Sequence, residues 1–503
     1  MTVEETEEIL EVISTCVPPN ASGEDEENLV QNFLPLRNYS RLADDKVFLI
    51  TGGRGAGKTE LFRILTSQNG LDHATGEADR KRYTNSREPK FIVGYIATGE
   101  EAKEAFPTPN VCSKWVKGKT TEEIISFWGG MLFVALLKKW GEQTEISHII
   151  SKFLGEECCR ILKDNSREIS QWWEMIYSLE EKWESCLVEL DNYFSERKMQ
   201  IFFTYDELDR ISTNYAELFP FIRGLLSFWF SHNNRFASLK AKIFLRSDLY
   251  NAKALQFVDS SKMRAYRLEL KWDSLSLYRM LVKRMANAGN ARTVEYLRTI
   301  PGLLLPDRRE ELGYLPGDSE ESLKMFVEKV IGKYMGKTPK RGLSYSWVPN
   351  HIQDANGDLA PRPFLKCFSF AAEELINHRE EIEKLEEGRL LSPTRLQGAL
   401  SEVSRDRVEE LTKEEYQWLQ NLIVRLRDKT MLMEKEEFMS LLNPDFWDDE
   451  QRSELPGKTG EEILEALLVL GIVMETSDGR INVPEIYLYG FGLKRKGGIK
   501  RPK

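Results

Sequence analysis

Positions 52–59 read GGRGAGKT and fit the phosphate-binding pattern GxxxxGK followed by Ser or Thr. An apolar run at 47–50 precedes this segment as a buried strand would, and residues 60–65 follow it with helical spacing. Glycines let phosphate oxygens reach backbone N–H groups, and a helix start directs its positive end at the same anion. We predict that Lys58 binds the β and γ phosphates and that Thr59 offers its hydroxyl to Mg²⁺. The residues predicted to contact the nucleotide here are Gly52, Gly53, Arg54, Gly55, Ala56, Gly57, Lys58, Thr59 and Glu60.

A second apolar run, QIFFTYDELDRI at 200–211, ends in acidic residues. An acid at a strand end beside the phosphate loop can hold Mg²⁺ through its water shell, and we assign this role to Asp206. The neighbouring Glu207 is predicted to orient, and partly deprotonate, the water that attacks the γ phosphate. Acidic turns at strand ends are common, so both assignments depend on the presence of the loop.

Several nucleotide-binding classes are disfavoured by missing motifs. The sequence has no N-K-x-D string for guanine recognition and no LSGGQ-type signature of transporter ATPases. Its glycines do not form GxGxxG, which disfavours a dinucleotide fold. The pattern therefore favours the ATPase class in which an extra strand lies between the loop strand and the acid-bearing strand.

The D-E-L-D string that ends at Asp209 and the segment KIFLRSDL at 242–249 resemble the AAA+ and STAND superfamily of ATPases, including the KAP type. This resemblance implies that Arg246 contacts the γ phosphate, where AAA+ proteins usually carry Asn or Thr. It also implies that Arg362 senses nucleotide, because a similar Pro-Arg pair begins the lid helix of STAND and KAP-type proteins. The predicted catalytic residues are thus Lys58, Glu207 and Arg246.

The predicted fold class is α/β: a P-loop NTPase parallel sheet with a helical insert, an α-helical lid and a C-terminal winged-helix-like domain. A lead segment is expected to lie as a strap against the ATPase core. The predicted boundaries are 1–45 for the lead segment, 46–272 for the core with its insert at 120–197, 273–377 for the lid, 378–430 for connecting helices and 431–503 for the last domain.

The C-terminal domain is predicted from a helix beginning at Gly460, followed by two short strands around a Ser-Asp-Gly turn at 477–479. Helix, strand, turn and strand in this order end a winged helix. Glu461, Glu462 and Glu465 on the candidate recognition helix would face DNA phosphates badly, which favours a protein-binding or intramolecular role. A basic tail follows, with Lys494, Arg495, Lys496, Lys500, Arg501 and Lys503.

Composition is consistent with a globular protein of two or three units. The 503 residues are 41% hydrophobic and carry a formal net charge of −10, which disfavours nonspecific nucleic-acid binding by the whole surface. No run approaches the length of a membrane span, and the acidic start lacks the features of a signal peptide. The six cysteines show no metal-ligand spacing. We therefore expect a cytoplasmic protein without membrane partners.

The sequence favours a Mg²⁺-dependent, ATP-hydrolysing molecular switch that regulates assembly with a separately encoded effector or regulatory protein. The resemblance implies bacterial signalling or antiphage defence, and a homo-oligomer on ATP binding is left open. Two alternatives remain: a DNA-binding initiator or loader, with DNA not favoured, and a P-loop kinase. The arginine finger is undecided among Arg210, Arg223, Arg235 and Arg264.

Overall fold

The computed structural model describes residues 1–17, 25–84, 87–141, 144–212, 215–251, 255, 260–309, 311–414, 416–452 and 455–495. These residues form two compact units. One comprises Pro35–Leu270, and the other combines Met1–Leu34 with Lys271–Lys503. The last residues of the chain, 496–503, lie outside the described part, so the predictions for Lys496, Lys500, Arg501 and Lys503 are not addressed by the structure.

The strands, in chain order, are β1 (Leu49–Gly52), β2 (Glu88–Tyr95), β3 (Met199–Tyr205), β4 (Leu239–Arg246), β5 (Arg267–Leu270), β6 (Thr430–Met431), β7 (Met474–Glu475), β8 (Ile481–Asn482) and β9 (Lys494–Arg495). The α-helices are α1 (Val3–Ser14), α2 (Glu26–Asn32), α3 (Lys58–Thr66), α4 (Gly70–Thr75), α5 (Glu77–Tyr83), α6 (Glu100–Ala105), α7 (Pro109–Val116), α8 (Thr121–Trp140), α9 (Glu145–Leu154), α10 (Glu156–Asp164), α11 (Ile169–Ser178), α12 (Glu180–Glu196), α13 (Tyr215–His232), α14 (Ser247–Asn251), α15 (Ser274–Asn287), α16 (Ala291–Arg298), α17 (Glu320–Val330), α18 (Ser344–Ile352), α19 (Pro361–Ile376), α20 (Arg379–Ile382), α21 (Pro393–Glu414), α22 (Leu419–Leu426), α23 (Lys435–Ser440), α24 (Asp449–Arg452), α25 (Gly460–Val469) and α26 (Glu485–Leu488).

The first unit is built on a five-stranded parallel sheet in the order β2-β3-β4-β1-β5. Because β4 lies between β1 and β3, the predicted extra strand between the loop strand and the acid-bearing strand is confirmed. The strands are rich in buried apolar residues, as expected for a parallel sheet covered on both faces. The parallel sheet and its helices form an α/β P-loop-like fold.

A block of helices, α8 to α12, lies between β2 and β3 in the chain. Helix α8 is buried on nearly all sides and packs against α11, α13 and β2. Four tryptophans, at positions 128, 172, 173 and 183, are fully buried in this block. Their indole rings bury large apolar areas, so the block is a continuation of the core of the first unit.

In the second unit, the first helix packs against α19 and α16. Its apolar face, with Ile9, Leu10 and Ile13, is fully buried, and Glu5 pairs with Arg292 on α16. The expected strap against the ATPase core stays a prediction, and residues 1–34 group with the C-terminal half of the chain. The physical reason is the apolar stripe of α1, which is buried by helix packing.

At the end of the second unit, α25 is followed by the antiparallel pair β7–β8, whose turn contains residues 477–479. Met433 forms an antiparallel bridge with Ile481 on β8, and β6 pairs in parallel with β9. The predicted helix, strand, turn and strand are thus present in the predicted order. None of the helices in the described residues is both long enough and apolar enough to cross a membrane.

Candidate functional site

The predicted site residues meet where three adjacent strands of the first unit end. Gly52 on β1 is in register with Arg246, the last residue of β4. On the other side of β4, β3 ends at Tyr205, immediately before Asp206. The parallel arrangement therefore brings the phosphate loop, Arg246 and the acid pair to one edge of the sheet, as the carboxyl ends of parallel strands require.

The backbone of the loop depends on its glycines. Gly55 and Gly57 have φ values of 73° and 89°, in the left-handed region that favours glycine. A Cβ atom on Gly52 would lie 3.1 Å from the Cβ of Ala56 and 3.2 Å from the Cβ of Leu270. Both contacts would be tight, so the close packing at Gly52 and the backbone at Gly55 and Gly57 favour glycine. Helix α3 begins directly after Gly57.

Lys58 lies against the loop itself. Its ammonium group donates to the carbonyl oxygens of Gly52 at 3.0 Å and Gly53 at 2.9 Å. Burial, followed by the nearby charge of Arg246, lowers the pKa of Lys58 to about 8. A phosphate dianion would form stronger, charge-assisted bonds to this amine than the two carbonyls do.

Asp206 is almost completely buried, with 3% of its surface exposed. Burial raises the pKa of its carboxyl to about 6, although a hydrogen bond from Thr59 opposes that shift. The Oδ2 atom is buried and has no hydrogen-bond partner among the described residues. A hydroxyl and a carboxylate with a free oxygen are the hard oxygen donors that Mg²⁺ prefers, so Thr59 and Asp206 fit a Mg²⁺ site.

Glu207 occupies the left-handed region, with φ 53° and ψ 32°. Such a backbone costs of the order of 1 kcal/mol or more for a residue with a side chain and is found preferentially at functional sites. The Thr98 hydroxyl lies 3.0 and 2.7 Å from the two carboxylate oxygens, and Arg210 lies 3.7 Å from one of them. The turn thus presents a mostly buried carboxylate whose orientation is set by Thr98.

Arg246 is nine-tenths buried and paired with acids. Its Nε and Nη2 atoms donate to Asp248 at 3.1 and 2.8 Å, and its Nη1 lies 3.4 Å from Asp209. The predicted proximity of Arg246 to the loop is therefore observed, and its contact with a γ phosphate stays a prediction.

Arg362 belongs to the second unit, as the second residue of α19. Its side chain is 42% exposed, and its Nε atom lies 3.8 Å from Glu410 on α21. The predicted role as a nucleotide sensor remains untested. Among the candidate arginine fingers, Arg235 pairs with Glu184, and Arg210 is the one placed beside Glu207.

Two residues of the site were missed by sequence reasoning. Thr98 follows the apolar run of β2, so a polar residue at the end of a third strand was an available signal. Asp248 lies two residues after Arg246, close enough in the chain for its carboxylate to accept hydrogen bonds from the arginine at the end of β4. Neither belongs to a motif of the loop or of the acid pair, and both are recognised from contacts.

A family model described as ORC-CDC6-like matches residues 17–245. The match covers the phosphate loop, the acid pair and β4 up to the residue before Arg246, and it supports an AAA+ ATPase-like family for this part of the chain. No curated protein matches the chain, and no solved structure matches it.

Proposed function

We propose that this protein is a Mg²⁺-dependent, ATP-hydrolysing molecular switch. The observation that carries the proposal is the meeting of Lys58, Arg246, Asp206 and Glu207 at the ends of three adjacent parallel strands. Lys58 and Arg246 would provide two cations for the phosphates, Asp206 a ligand for the metal and Glu207 a general base. The AAA+ ATPase-like match over the same strands supports this assignment.

In the proposed reaction, Lys58 binds the β and γ phosphates, and the N–H groups of the loop hold their oxygens. Glu207 orients a water molecule and accepts its proton during attack on the γ phosphorus, so that ADP and inorganic phosphate leave. Thr59 and Asp206 would hold Mg²⁺, which would neutralise charge on the phosphates. Arg246 contacts the γ phosphate and so distinguishes ATP from ADP.

The switch is proposed to act through assembly. Arg362, at the start of α19, pairs with Glu410 on α21, and α21 also packs against α26 of the C-terminal module. A change in the contacts of Arg362 on nucleotide binding would reach that module through α21. The resemblance to STAND and KAP-type ATPases supports a separately encoded effector protein as the partner, in signalling or antiphage defence.

A second candidate function is a DNA-binding initiator or loader. The order α25, β7, turn and β8, with Met433 bridging to β8, favours a winged-helix-like domain. The charges argue against DNA as its ligand. Glu461, Glu462 and Glu465 are exposed on α25, the candidate recognition helix. Arg495 pairs with the buried Glu485 at 3.1 Å, whereas the pair of Lys494 with Asp428 at 2.7 Å is exposed to solvent.

Mass measurement after size-exclusion chromatography tests the two functions against each other. The purified chain is compared in ATP, ADP and no nucleotide, each with and without duplex DNA. A switch predicts assembly that depends on ATP, needs no DNA, and is lost in Lys58→Ala. Assembly only on DNA would favour the initiator, and identical mass in every condition would contradict the assembly part of the proposal.

A further inference from the structure

The side chains of Arg246 and Asp248 form a fork-to-fork pair. Nε donates to Oδ1 at 3.1 Å and Nη2 donates to Oδ2 at 2.8 Å. Both side chains are largely buried, with 10% and 18% of their surface exposed. Two parallel, charge-assisted hydrogen bonds fix the plane of a guanidinium group as well as its position. Asp248 therefore fixes the orientation of the Arg246 guanidinium group.

The remaining edge of Arg246 meets a weaker partner. Nη1 lies 3.4 Å from Oδ2 of Asp209, whose side chain is 33% exposed. This contact is longer than either bond to Asp248, and Asp209 is more open to water than Asp248. A longer and more hydrated ion pair is the one that a competing anion displaces more readily.

The position of this edge is set by the sheet. Arg246 is in register with Gly52, the first glycine of the phosphate loop. The charge of Arg246 is close enough to Lys58 to lower the pKa of that amine, after burial as the larger cause. The carboxylates that oppose the shift include those of Asp248 and Asp209. The loop lysine, the arginine and both acids thus share one electrostatic environment.

We propose that Asp248 is a positioning residue that holds Arg246 in place, and that Asp209 is the anion which the γ phosphate replaces on Nη1. This inference rests on the proposed contact between Arg246 and the γ phosphate. Asp248 compensates the charge of the buried arginine in both states, and the exchange keeps a second anion on Nη1 with either nucleotide. With ADP, Asp209 stays on the arginine; with ATP, it is released.

Loss of the Asp209 contact would also affect Glu207, the proposed water activator. Asp209 belongs to the short 3-10 turn Leu208–Arg210, which begins directly after Glu207. Release of Asp209 would remove one contact from the turn that follows the left-handed Glu207 backbone, while the backbone bonds of the turn remain. Binding of the γ phosphate to Nη1 of Arg246 would therefore change the contacts of the turn Leu208–Arg210, which directly follows Glu207.

The test measures ATP and ADP affinities by calorimetry, together with kcat and KM, for the full chain. In Asp248→Asn the ratio of ATP to ADP affinity should fall about tenfold, the effect of removing one charge-assisted hydrogen bond. Asp248→Glu, which keeps the carboxylate, should recover part of that ratio. Asp209→Asn should instead raise the ATP to ADP ratio severalfold, because the competing anion is removed.

A double-mutant cycle separates positioning from a general structural role. If Asp248 acts through Arg246, Asp248→Asn should change nothing further in an Arg246→Ala background. The matched control is Asp72→Asn, which breaks an Arg–Asp pair with Arg80 elsewhere in the same unit and should leave the affinity ratio unchanged. Thermal unfolding of each variant verifies that it is folded.

The outcomes distinguish the proposed contact from the proposed positioning. If Arg246→Ala leaves the ATP to ADP ratio unchanged, the proposed γ-phosphate contact fails. If Arg246→Ala lowers the ratio but Asp248→Asn does not, the contact stands and the positioning role of Asp248 is overturned. If Asp209→Asn leaves the ratio unchanged or lowers it, the exchange of anions is overturned.

Discussion

The Thr98 hydroxyl lies 3.0 and 2.7 Å from the two carboxylate oxygens of Glu207, 109 residues further along the chain. Strands β2 and β3 are paired up to Tyr95 and Tyr205, so the segments after both strands leave the same edge of the sheet. A hydroxyl donates one proton at a time, and here it is shared between the two oxygens of the candidate base. This contact places a hydrogen-bonding side chain on the proposed water activator.

Thr98→Val should raise the basal rate of ATP hydrolysis. The hydrogen bond stabilises the Glu207 carboxylate and competes with the attacking water, and removing a charge-assisted bond of this kind corresponds to roughly a tenfold effect or more. Thr98→Ser keeps the donor and should behave as the parent. Steady-state phosphate release measures both, and a Val variant with a parental or lower rate would show that Thr98 supports Glu207 rather than restrains it.

Lys58→Ala should weaken nucleotide binding by roughly 1.5–3 kcal/mol, the scale of a charge-assisted hydrogen bond. The fold should survive, because the ammonium group of Lys58 donates to carbonyl oxygens of the loop itself. Calorimetric titration with ATP gives the affinity. Lys90→Ala, on β2 and paired with Glu88, is the control that should leave affinity unchanged. Equal ATP affinities for parent and Lys58→Ala would refute the assignment of the loop.

Glu207→Gln should reduce hydrolysis by about 10²-fold or more while ATP binding persists, because the amide keeps the shape but cannot accept the proton. The variant should accumulate in the ATP-bound state. Glu184→Gln changes a carboxylate that pairs with His232 and Arg235 in the same unit, and it should hydrolyse at the parental rate. Parental turnover in Glu207→Gln would place the base elsewhere, and transfer of phosphate to an acceptor other than water would favour the kinase.

The raised pKa of Asp206 predicts that the stability of the protein depends on pH. Burial raises its pKa from 3.8 to about 6, so the folded protein binds this proton more tightly than the unfolded chain. The contribution to stability is complete below pH 3.8 and is lost as the pH rises through about 6. In nucleotide-free protein, Asp206→Asn should therefore be more stable than the parent at pH 7.5, by up to about 3 kcal/mol, with no advantage near pH 4.

Thermal unfolding in the presence of a chelator at both pH values measures this difference. Adding Mg²⁺ and ATP should stabilise the parent more than Asp206→Asn, because the variant has lost a proposed metal ligand but keeps Lys58 and the loop. Asp164→Asn, at an exposed position at the end of α10, should change stability by less than about 0.5 kcal/mol at either pH. An Asn variant that is less stable than the parent at pH 7.5 would contradict the buried, uncompensated charge.

Neutralising the charges of the C-terminal tail distinguishes the proposed switch function from the DNA-binding initiator function. The neutralising variant is best confined to Lys496, Lys500 and Arg501, because Lys494 and Arg495 pair with Asp428 and Glu485. We expect ATPase activity and assembly to be nearly unchanged. If the tail binds duplex DNA, the variant should instead reduce affinity and flatten the salt dependence, by a slope of about 0.9 for each phosphate that is no longer neutralised.

Charging the buried face of α25 provides the contrasting result. Leu467 is fully buried, and Leu467→Asp should destabilise the C-terminal domain by about 3 kcal/mol or more. Loss of assembly in this variant together with retained assembly in the tail variant supports a protein-docking module. Tight, salt-sensitive duplex binding that only the tail variant loses would favour DNA.

The sequence by itself determined the local parts of this site. Glycines at 55 and 57 specify left-handed backbone, and the apolar runs before the loop and the acid pair specify strands, because backbone conformation and burial are encoded by neighbouring residues. The loop, Asp206 and the turn at 477–479 could therefore be predicted. The absence of guanine and transporter motifs also predicted the strand inserted between β1 and β3.

Only the tertiary structure decided which side chains meet. The neighbours of a parallel strand depend on how crossover helices pack, so nothing near Glu207 in sequence identifies Thr98. The same holds for α1, whose apolar stripe specifies burial but not the helices that bury it. Contacts between distant segments are settled by the packing of whole elements, and the pairing of Arg246 with Asp209, 37 residues away, is one result of that packing.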